Sequence, residues 1–252
     1  MTMRKIIFCI LLMLPVLVFA QSTENSYSNE TGRINELTVE TGFGSYYMSS
    51  LKDLQNSIIS ESNSNIPLLK TTSFPSYFNY SLKFGSQNDK GYAGFTCGLM
   101  STGARSSVSD YSGYYLTDIN CMALHVGYYS RTAFATVPLL KRPLEIGFIV
   151  NGSVLYSFVT LRDNLQLYGS DALSDNSNTL NSIGVYTEPM LYVSYMFSRH
   201  IGIEFNAGGA LSISSPLYYE KPKNEVEIYN KKRFANWSGY RVSIGLITRF
   251  SP

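Results

Sequence analysis

The last stretch of the chain alternates between apolar and polar residues with a period of two. Between residues 237 and 250, one face of the predicted strand carries Tyr240, Val242, Ile244, Leu246, Thr248 and Phe250. The other face carries small or charged side chains, among them Gly239, Arg241, Gly245 and Arg249. This alternation is typical of a strand whose apolar face meets lipid and whose polar face lines the inside of a barrel.

The same period recurs in seven further segments, so the sequence predicts about eight strands. Their approximate bounds are 37–48, 76–85, 92–100, 119–129, 144–158, 183–197, 201–214 and 237–250. The connections between them are, in order, long, short, long, of intermediate length, long, short and long. In an up-and-down barrel this rhythm places long extracellular loops at one rim and short periplasmic turns at the other. The first long connection has room for an additional hairpin, which would make ten strands.

Two local features interrupt the strand pattern. The apolar residues between Leu51 and Ile59 follow helical spacing, which predicts a short amphipathic helix over 50–59 in the first loop. Pro189 falls in the middle of the sixth predicted strand, where it removes a hydrogen bond from the ladder. We therefore predict a β-bulge at this proline.

The first twenty residues are typical of a cleavable signal peptide. Arg4 and Lys5 precede an apolar run that ends at Ala20, and this run is shorter than the roughly 20 residues that a spanning helix needs. We therefore expect three regions, namely a signal peptide over 1–20, a flexible periplasmic lead-in over 21–36 and an outer-membrane β-barrel over 37–252.

Composition adds to this picture and argues against a nucleic-acid partner. The chain contains 20 Tyr and 14 Phe, which suits a protein with amphipathic rings at two membrane interfaces. Two of the 20 basic residues lie in the signal peptide, so the 18 acidic residues balance the remainder after cleavage. Cys97 and Cys121 fall on opposite faces of their strands, and we expect free thiols.

Residues 37–250 resemble the small eight-stranded outer-membrane β-barrel proteins of Gram-negative bacteria. The resemblance rests on the loop rhythm and on the closing strand, which reads Y-R-V-S-I-G-L-I-T-R-F. It implies a bacterial outer-membrane location, a monomer, and recognition of the closing strand by the barrel-assembly machinery. Outer-membrane lipid and lipopolysaccharide are the partners it implies. Because such barrels host many unrelated functions, the resemblance does not imply an activity.

Seven charged residues are predicted to point into the barrel. They are Glu40, Lys83, Glu145, Glu188, Glu204, Arg241 and Arg249. An interior of about eight strands is just wide enough for side chains to fill, so we expect these groups to form ion pairs that plug it. Glu188 is the expected partner of Arg241, whereas Glu204 and Glu40 are the expected partners of Arg249. A narrow small-solute channel, in which the same pairs exchange partners, is an alternative.

The loops contain a candidate contact surface for an extracellular ligand. Six tyrosines belong to it: Tyr111, Tyr114, Tyr115, Tyr218, Tyr219 and Tyr229. Such rings are common in contact surfaces, and the alternative is that they form the outer aromatic girdle. Basic residues of the last loop are candidates for contact with lipopolysaccharide phosphates: Lys221, Lys223, Lys231, Lys232 and Arg233.

Catalytic and metal-binding signals are weak. His125 is the only histidine within a predicted strand, and no serine stands beside it to form a nucleophile and base pair. The run Asp171, Asp175, Asn176 and Asn178 lacks the closing glutamate of a calcium loop. We expect no cofactor, metal or enzymatic activity, and a barrel that acts structurally or binds through its loops. A lipid A-modifying enzyme is the alternative from another functional class.

Overall fold

The computed structural model describes residues 34–61, 69–89, 91–139, 142–168, 173–219, 227–228 and 231–250. Within these ranges no helix is both long enough and apolar enough to cross a membrane.

The described residues form one helix and twelve strands, numbered here in chain order. They are β1 (Asn35–Tyr46), α1 (Ser49–Glu61), β2 (Leu69–Ser73), β3 (Tyr77–Asn88), β4 (Gly91–Asp110), β5 (Gly113–Leu139), β6 (Arg142–Leu167), β7 (Leu173–Met196), β8 (Ile201–Ser214), β9 (Tyr218–Tyr219), β10 (Glu227–Ile228), β11 (Lys231–Lys232) and β12 (Gly239–Phe250). Helix α1 coincides with the predicted helix, and its apolar face is buried.

Eight of these strands close an antiparallel ring in the order β1, β3, β4, β5, β6, β7, β8 and β12. Strand β12 then pairs with β1 along its whole length, from Phe250 opposite Asn35 to Gly239 opposite Tyr46. The predicted all-β, up-and-down barrel of eight strands is therefore confirmed. The described part of the first long connection contributes no strand to the ring. Its strand β2 pairs only with β4, beyond the part of β4 that pairs with β3.

The pairing register fixes how strongly the strands are staggered. One line of directly paired residues runs through Met196, Gly202, Ile247, Thr38, Lys83, Thr96, Gly127, Ser153 and Tyr186. It starts and ends on β7, and Tyr186 lies ten residues before Met196. For eight strands such a stagger corresponds to a tilt of about 40° and to an interior that side chains fill.

We call the two ends of the barrel the terminal rim, where Asn35 and Phe250 lie, and the loop rim at the opposite end. Four strands run far beyond the ring at the loop rim and form a sheet that we call the blade. The blade consists of residues 103–110, 113–120, 160–167 and 173–179. The connections expected over 101–118 and 160–181 are thus extended hairpins. The sequence hides them because both faces of the blade lie outside the apolar belt and the period of two fades there.

The structure corrects the prediction for Pro189. Thr187 pairs with Leu211 and Met190 pairs with Gly208, so the register of β7 and β8 is the same on both sides of the proline. The predicted bulge is wrong, because the ladder omits the pairs at 188 and 189 and then resumes unshifted. On its other side Pro189 stays opposite Val150 of β6.

The two faces of the ring differ as the alternation predicts. Outward side chains are apolar and exposed, as along β12, where Tyr240 and Leu246 are more than half exposed. Inward side chains are buried. The register sets Cys97 opposite Val126 and Cys121 opposite Thr102, and both cysteines are free, so the prediction of free thiols is confirmed.

Candidate functional site

Arg131 is the centre of the charged cluster near the terminal rim. Its Nη1 atom lies 2.7 Å from Glu36 Oε1 and 3.1 Å from Glu204 Oε2, and its Nη2 atom lies 3.4 Å from Glu145 Oε2. Nη2 also donates a hydrogen bond of 2.7 Å to the Ser194 hydroxyl. Arg131 is only 2% exposed and holds together three carboxylates, of which those of Glu36 and Glu204 are buried and that of Glu145 is partly exposed.

Aromatic rings cover the guanidinium of Arg131. Its central carbon lies 4.3 Å from the centre of the Tyr192 ring and 5.8 Å from that of Tyr92. Arg249 lies over the other part of the cluster, 4.9 Å from the Tyr92 ring. Two arginines thus share one tyrosine between them, which adds cation–π attraction to the ion pairs.

The structure corrects the partners predicted for Arg249. Its Nε atom lies 2.9 Å from Glu36 and its Nη2 atom 3.5 Å from Glu145, whereas Glu40 and Glu204 pair elsewhere. The reason is the register of β12 and β1, which sets Arg249 directly opposite Glu36. The sequence analysis left Glu36 in the lead-in, so the true partner was not among the candidates.

A second ion pair fills the middle of the barrel. Lys83 Nζ lies 2.5 Å from Glu40 Oε1, and the Ser81 hydroxyl donates to the other oxygen of Glu40 at 2.8 Å. The amide of Asn206 donates to Glu40 at 2.8 Å and to Glu204 at 2.9 Å. One neutral amide therefore connects the middle pair to the cluster around Arg131.

The third ion pair lies nearer the loop rim. Arg241 Nε is 2.8 Å from Glu188 Oε1, and this is the pair expected from the sequence. Other nitrogens of Arg241 donate to Asn79 Oδ1 at 2.6 Å and to the Tyr186 hydroxyl. The amide of Asn151 donates to Glu188 at 2.7 Å. Both members of the pair thus have neutral hydrogen-bond partners as well as each other.

A cluster of buried apolar side chains lies above Arg241, and we call it the plug. Its larger members are Tyr46, Met48, Leu51, Leu54, Phe74, Met100, Leu155, Leu217 and Trp237. Trp237 is fully buried, with its ring 4.8 Å from that of Tyr46 and its Nε1 donating to the Ser157 hydroxyl at 2.9 Å. The plug lies between the charged interior and the loop rim.

Helix α1 covers the plug and is held to β2 and β4. The amide of Gln55 donates to the Thr72 carbonyl at 2.6 Å and to the Arg105 carbonyl at 3.2 Å. At the two ends of this excursion Met48 and Phe74 have φ angles of 43° and 48°, which apolar residues rarely adopt. Both side chains are buried in the plug, so their packing maintains the unusual backbone.

The predicted tyrosine surface is divided between two places. Tyr111, which is 97% exposed, lies at the tip of the blade with Tyr114 and Tyr115. Tyr218 and Tyr219 form β9, which pairs with β7 at the base of the blade. Of these five tyrosines only Tyr111 is exposed, the other four are partly buried, and the contact surface stays a prediction. Tyr229 lies outside the described residues, as do Lys221 and Lys223 of the predicted basic loop.

The weak chemical signals of the sequence lie apart, with His125 inside the barrel and Asp175, Asn176 and Asn178 on the blade. His125 is 1% exposed, and its ring lies 5.4 Å from that of Tyr186 in the barrel interior. Within the described ranges no three His, Cys, Asp or Glu side chains are grouped to hold a metal. Asp171 of the predicted acidic run lies outside those ranges. The absence of enzymatic activity stays a prediction.

Sequence reasoning missed Glu36 and Arg131, the two residues that organise the charged cluster. Both lie just beyond the ends assigned to their strands. The signal was present for Arg131, because the inward positions Cys121, His125 and Tyr129 continue to it at the same period. Extending each strand until the period fails would have found both residues.

No protein-family model matches the chain, and a search of curated proteins finds no match. Among solved structures, the chain is similar to the attachment invasion locus protein Ail of Yersinia pestis, with 9% identity and a TM-score of 0.29 over 88% of this chain and 100% of that chain. It is also similar to an acetoacetate decarboxylase-like enzyme from Sphingomonas wittichii RW1, with 10% identity and a TM-score of 0.16 over 91% and 96%. Neither score is high enough to carry an argument, so the fold rests on the strand pairings.

Proposed function

We propose that the protein is a bacterial outer-membrane barrel with a sealed interior, which acts through the surface at its loop rim. The observation that carries the proposal is a distribution of buried and exposed side chains opposite to that of a soluble protein. Charged side chains such as Arg131 and Glu204 are buried, and large apolar side chains are exposed around the ring. A closed ring leaves no strand edge unpaired, which is the condition for β-structure in lipid.

The interior supports a structural or binding role better than transport. Ion pairs fill the barrel from Arg249 to Arg241, and the plug with Trp237 closes it above them. Buried pairs with additional hydrogen bonds are costly to separate, because each partner would remain as an uncompensated charge. A continuous water path along the axis would require such separation at several levels.

Planar-bilayer recording of the purified protein tests the sealed interior. We expect insertion without stable openings of porin size, together with heat-modifiable mobility on gels as a sign of a folded barrel. A steady open channel in preparations that show full heat modifiability would contradict the proposal.

Surface labelling tests which rim faces the outside. We expect a membrane-impermeant maleimide to label Tyr111→Cys on intact cells and to label Ser198→Cys only after the outer membrane is permeabilised. Ser198 is the matched control because it lies in the turn between β7 and β8 at the terminal rim. Labelling of Ser198→Cys on intact cells would reverse the proposed orientation.

A further inference from the structure

We infer that the outer face of the blade binds the phosphate group of an outer-leaflet glycolipid, and that Arg105 and Arg162 carry the contact. This inference rests on the proposed function, since it requires the loop rim to face the outer leaflet. It assigns a lipid-binding site to described strand residues, whereas the sequence pointed to the basic residues of the last loop.

The two arginines belong to one row across the outer face of the blade. Arg105 of β4 is paired with Asp118 of β5, Asp118 with Arg162 of β6, and Arg162 with Ser177 of β7. Directly paired residues point to the same side of a sheet. The neighbours of Arg105, Ala104 and Ser106, are buried on the inward face, and those of Arg162, Leu161 and Asp163, are partly buried, so the whole row faces away from the barrel axis.

The row lies just beyond the apolar belt. On β6 the outward positions are Phe158, then Thr160, then Arg162, so Arg162 follows the last exposed aromatic by four residues. This is about 13 Å along the strand, or about 10 Å along the barrel axis at the tilt given above. The headgroup layer extends about 5–7 Å beyond the hydrocarbon edge, and an arginine side chain can extend back over the remaining distance to reach a lipid phosphate.

Charge favours an anion at this place. Arg105 contacts Asp118 through Nε at 2.6 Å and Nη2 at 3.0 Å, which holds its guanidinium in a fixed position while its side chain stays 55% exposed. Arg162 is exposed and has no ion-pair partner among the described side chains. The row therefore carries one positive charge in excess, on a guanidinium suited to bidentate phosphate contacts.

The position of Asp118 determines which phosphate fits. A carboxylate between the two arginines repels a free anion, so the row by itself should bind inorganic phosphate poorly. A phosphate attached to acyl chains gains its remaining affinity from the apolar belt around Met122 and Phe158 below the row. The geometry thus points to a phosphorylated lipid, with lipid A of lipopolysaccharide as the outer-leaflet representative.

Lipid A binding to the purified barrel in zwitterionic nanodiscs tests the inference, with retained lipid counted by native mass spectrometry. We expect Arg105→Gln/Arg162→Gln to weaken binding about tenfold or more. The matched control is Arg199→Gln, since Arg199 is an exposed arginine in a turn at the terminal rim. It should bind like the wild type, and chemically dephosphorylated lipid A should remove the difference between all three proteins.

Other outcomes overturn the inference in distinguishable ways. Equal binding by the double variant and the wild type, or an equal loss in Arg199→Gln, rejects the assigned residues while the barrel proposal stands. Inorganic phosphate competing as well as lipid A rejects a lipid-specific site. Failure of the wild type to insert into nanodiscs as a heat-modifiable barrel rejects both this inference and the proposed function.

Discussion

Replacing Arg131 by Met should be the most costly single change in the charged interior. Methionine replaces the stem of the arginine side chain but lacks the guanidinium, and so leaves the three carboxylates without their common partner. Glu36 keeps Arg249 at 2.9 Å, and Glu145, whose side chain is 29% exposed, keeps Arg249 and water. Glu204 is 1% exposed and keeps only the amide of Asn206 at 2.9 Å. One buried carboxylate thus loses its ion-pair contact.

The expected cost is about 3–5 kcal/mol in the free energy of unfolding, which is typical when one partner of a buried pair is removed. Loss of the cation–π contact with Tyr192 adds about 1 kcal/mol. Reversible urea unfolding in lipid vesicles measures this cost. The fluorescence of Trp237, the single tryptophan of the chain, reports folding because it lies in the plug, well away from the substitution.

Two second-site variants decide whether Glu204 is the cause. Adding Glu204→Gln to Arg131→Met should recover about half of the lost stability or more, because the uncompensated charge is removed. Adding Glu145→Gln should recover little, since water already solvates that carboxylate. The reasoning is refuted if Arg131→Met unfolds within about 1 kcal/mol of the wild type. It is also refuted if both second changes rescue equally.

Three further changes test other parts of the molecule. Arg249→Leu should cost less than Arg131→Met, about 1–2 kcal/mol in the same urea assay, because Arg249 is 15% exposed; an equal cost would contradict this. Trp237→Phe should lower stability by about 1 kcal/mol in a gel-mobility melt through loss of its hydrogen bond, and unchanged melting would argue against that bond. At the tip of the blade, outside the barrel ring, hydrogen bonds from the hydroxyl and backbone N–H of Ser112 lower the pKa of Asp110. The stabilisation by these two hydrogen bonds is therefore present above the unfolded-state pKa of Asp110 and is lost as the pH falls through its lower folded-state pKa. Protection of the Ser112 amide from hydrogen exchange should fall in acid. In Asp110→Asn the protection should not change with pH.

Periodicity predicted the barrel because most outward positions of the ring strands carry apolar side chains. On β12, every second residue from Tyr240 to Phe250 is outward, as the sequence indicated. Periodicity does not identify a strand where both of its faces meet a similar environment. Within the blade polar residues occur on both faces of the strands, so the sequence indicated loops there.

Which charged residues form ion pairs inside the barrel depends on the pairing register of the strands. A period of two in the sequence does not reveal that register. Arg241 and Glu188 were matched because both lie within strands whose bounds were approximately right. Arg249 was mismatched because its neighbour Glu36 belongs to a strand that begins two residues earlier than predicted. A charged residue just outside a predicted strand is thus informative, since the strand ladder can continue to it and pair it with a charge on the neighbouring strand.

Among the described interior residues, the buried carboxylates and the cations are equal in number, and the one further carboxylate is partly exposed. Four carboxylates are buried to within a few per cent, namely Glu36, Glu40, Glu188 and Glu204. Four cations accompany them, namely Lys83, Arg131, Arg241 and Arg249. The fifth carboxylate is that of Glu145, and it is also the one whose side chain is 29% exposed at the terminal rim. Since a charge in excess of its counter-charges is tolerated best where water solvates it, this distribution supports the proposed sealed interior above a solvated terminal rim.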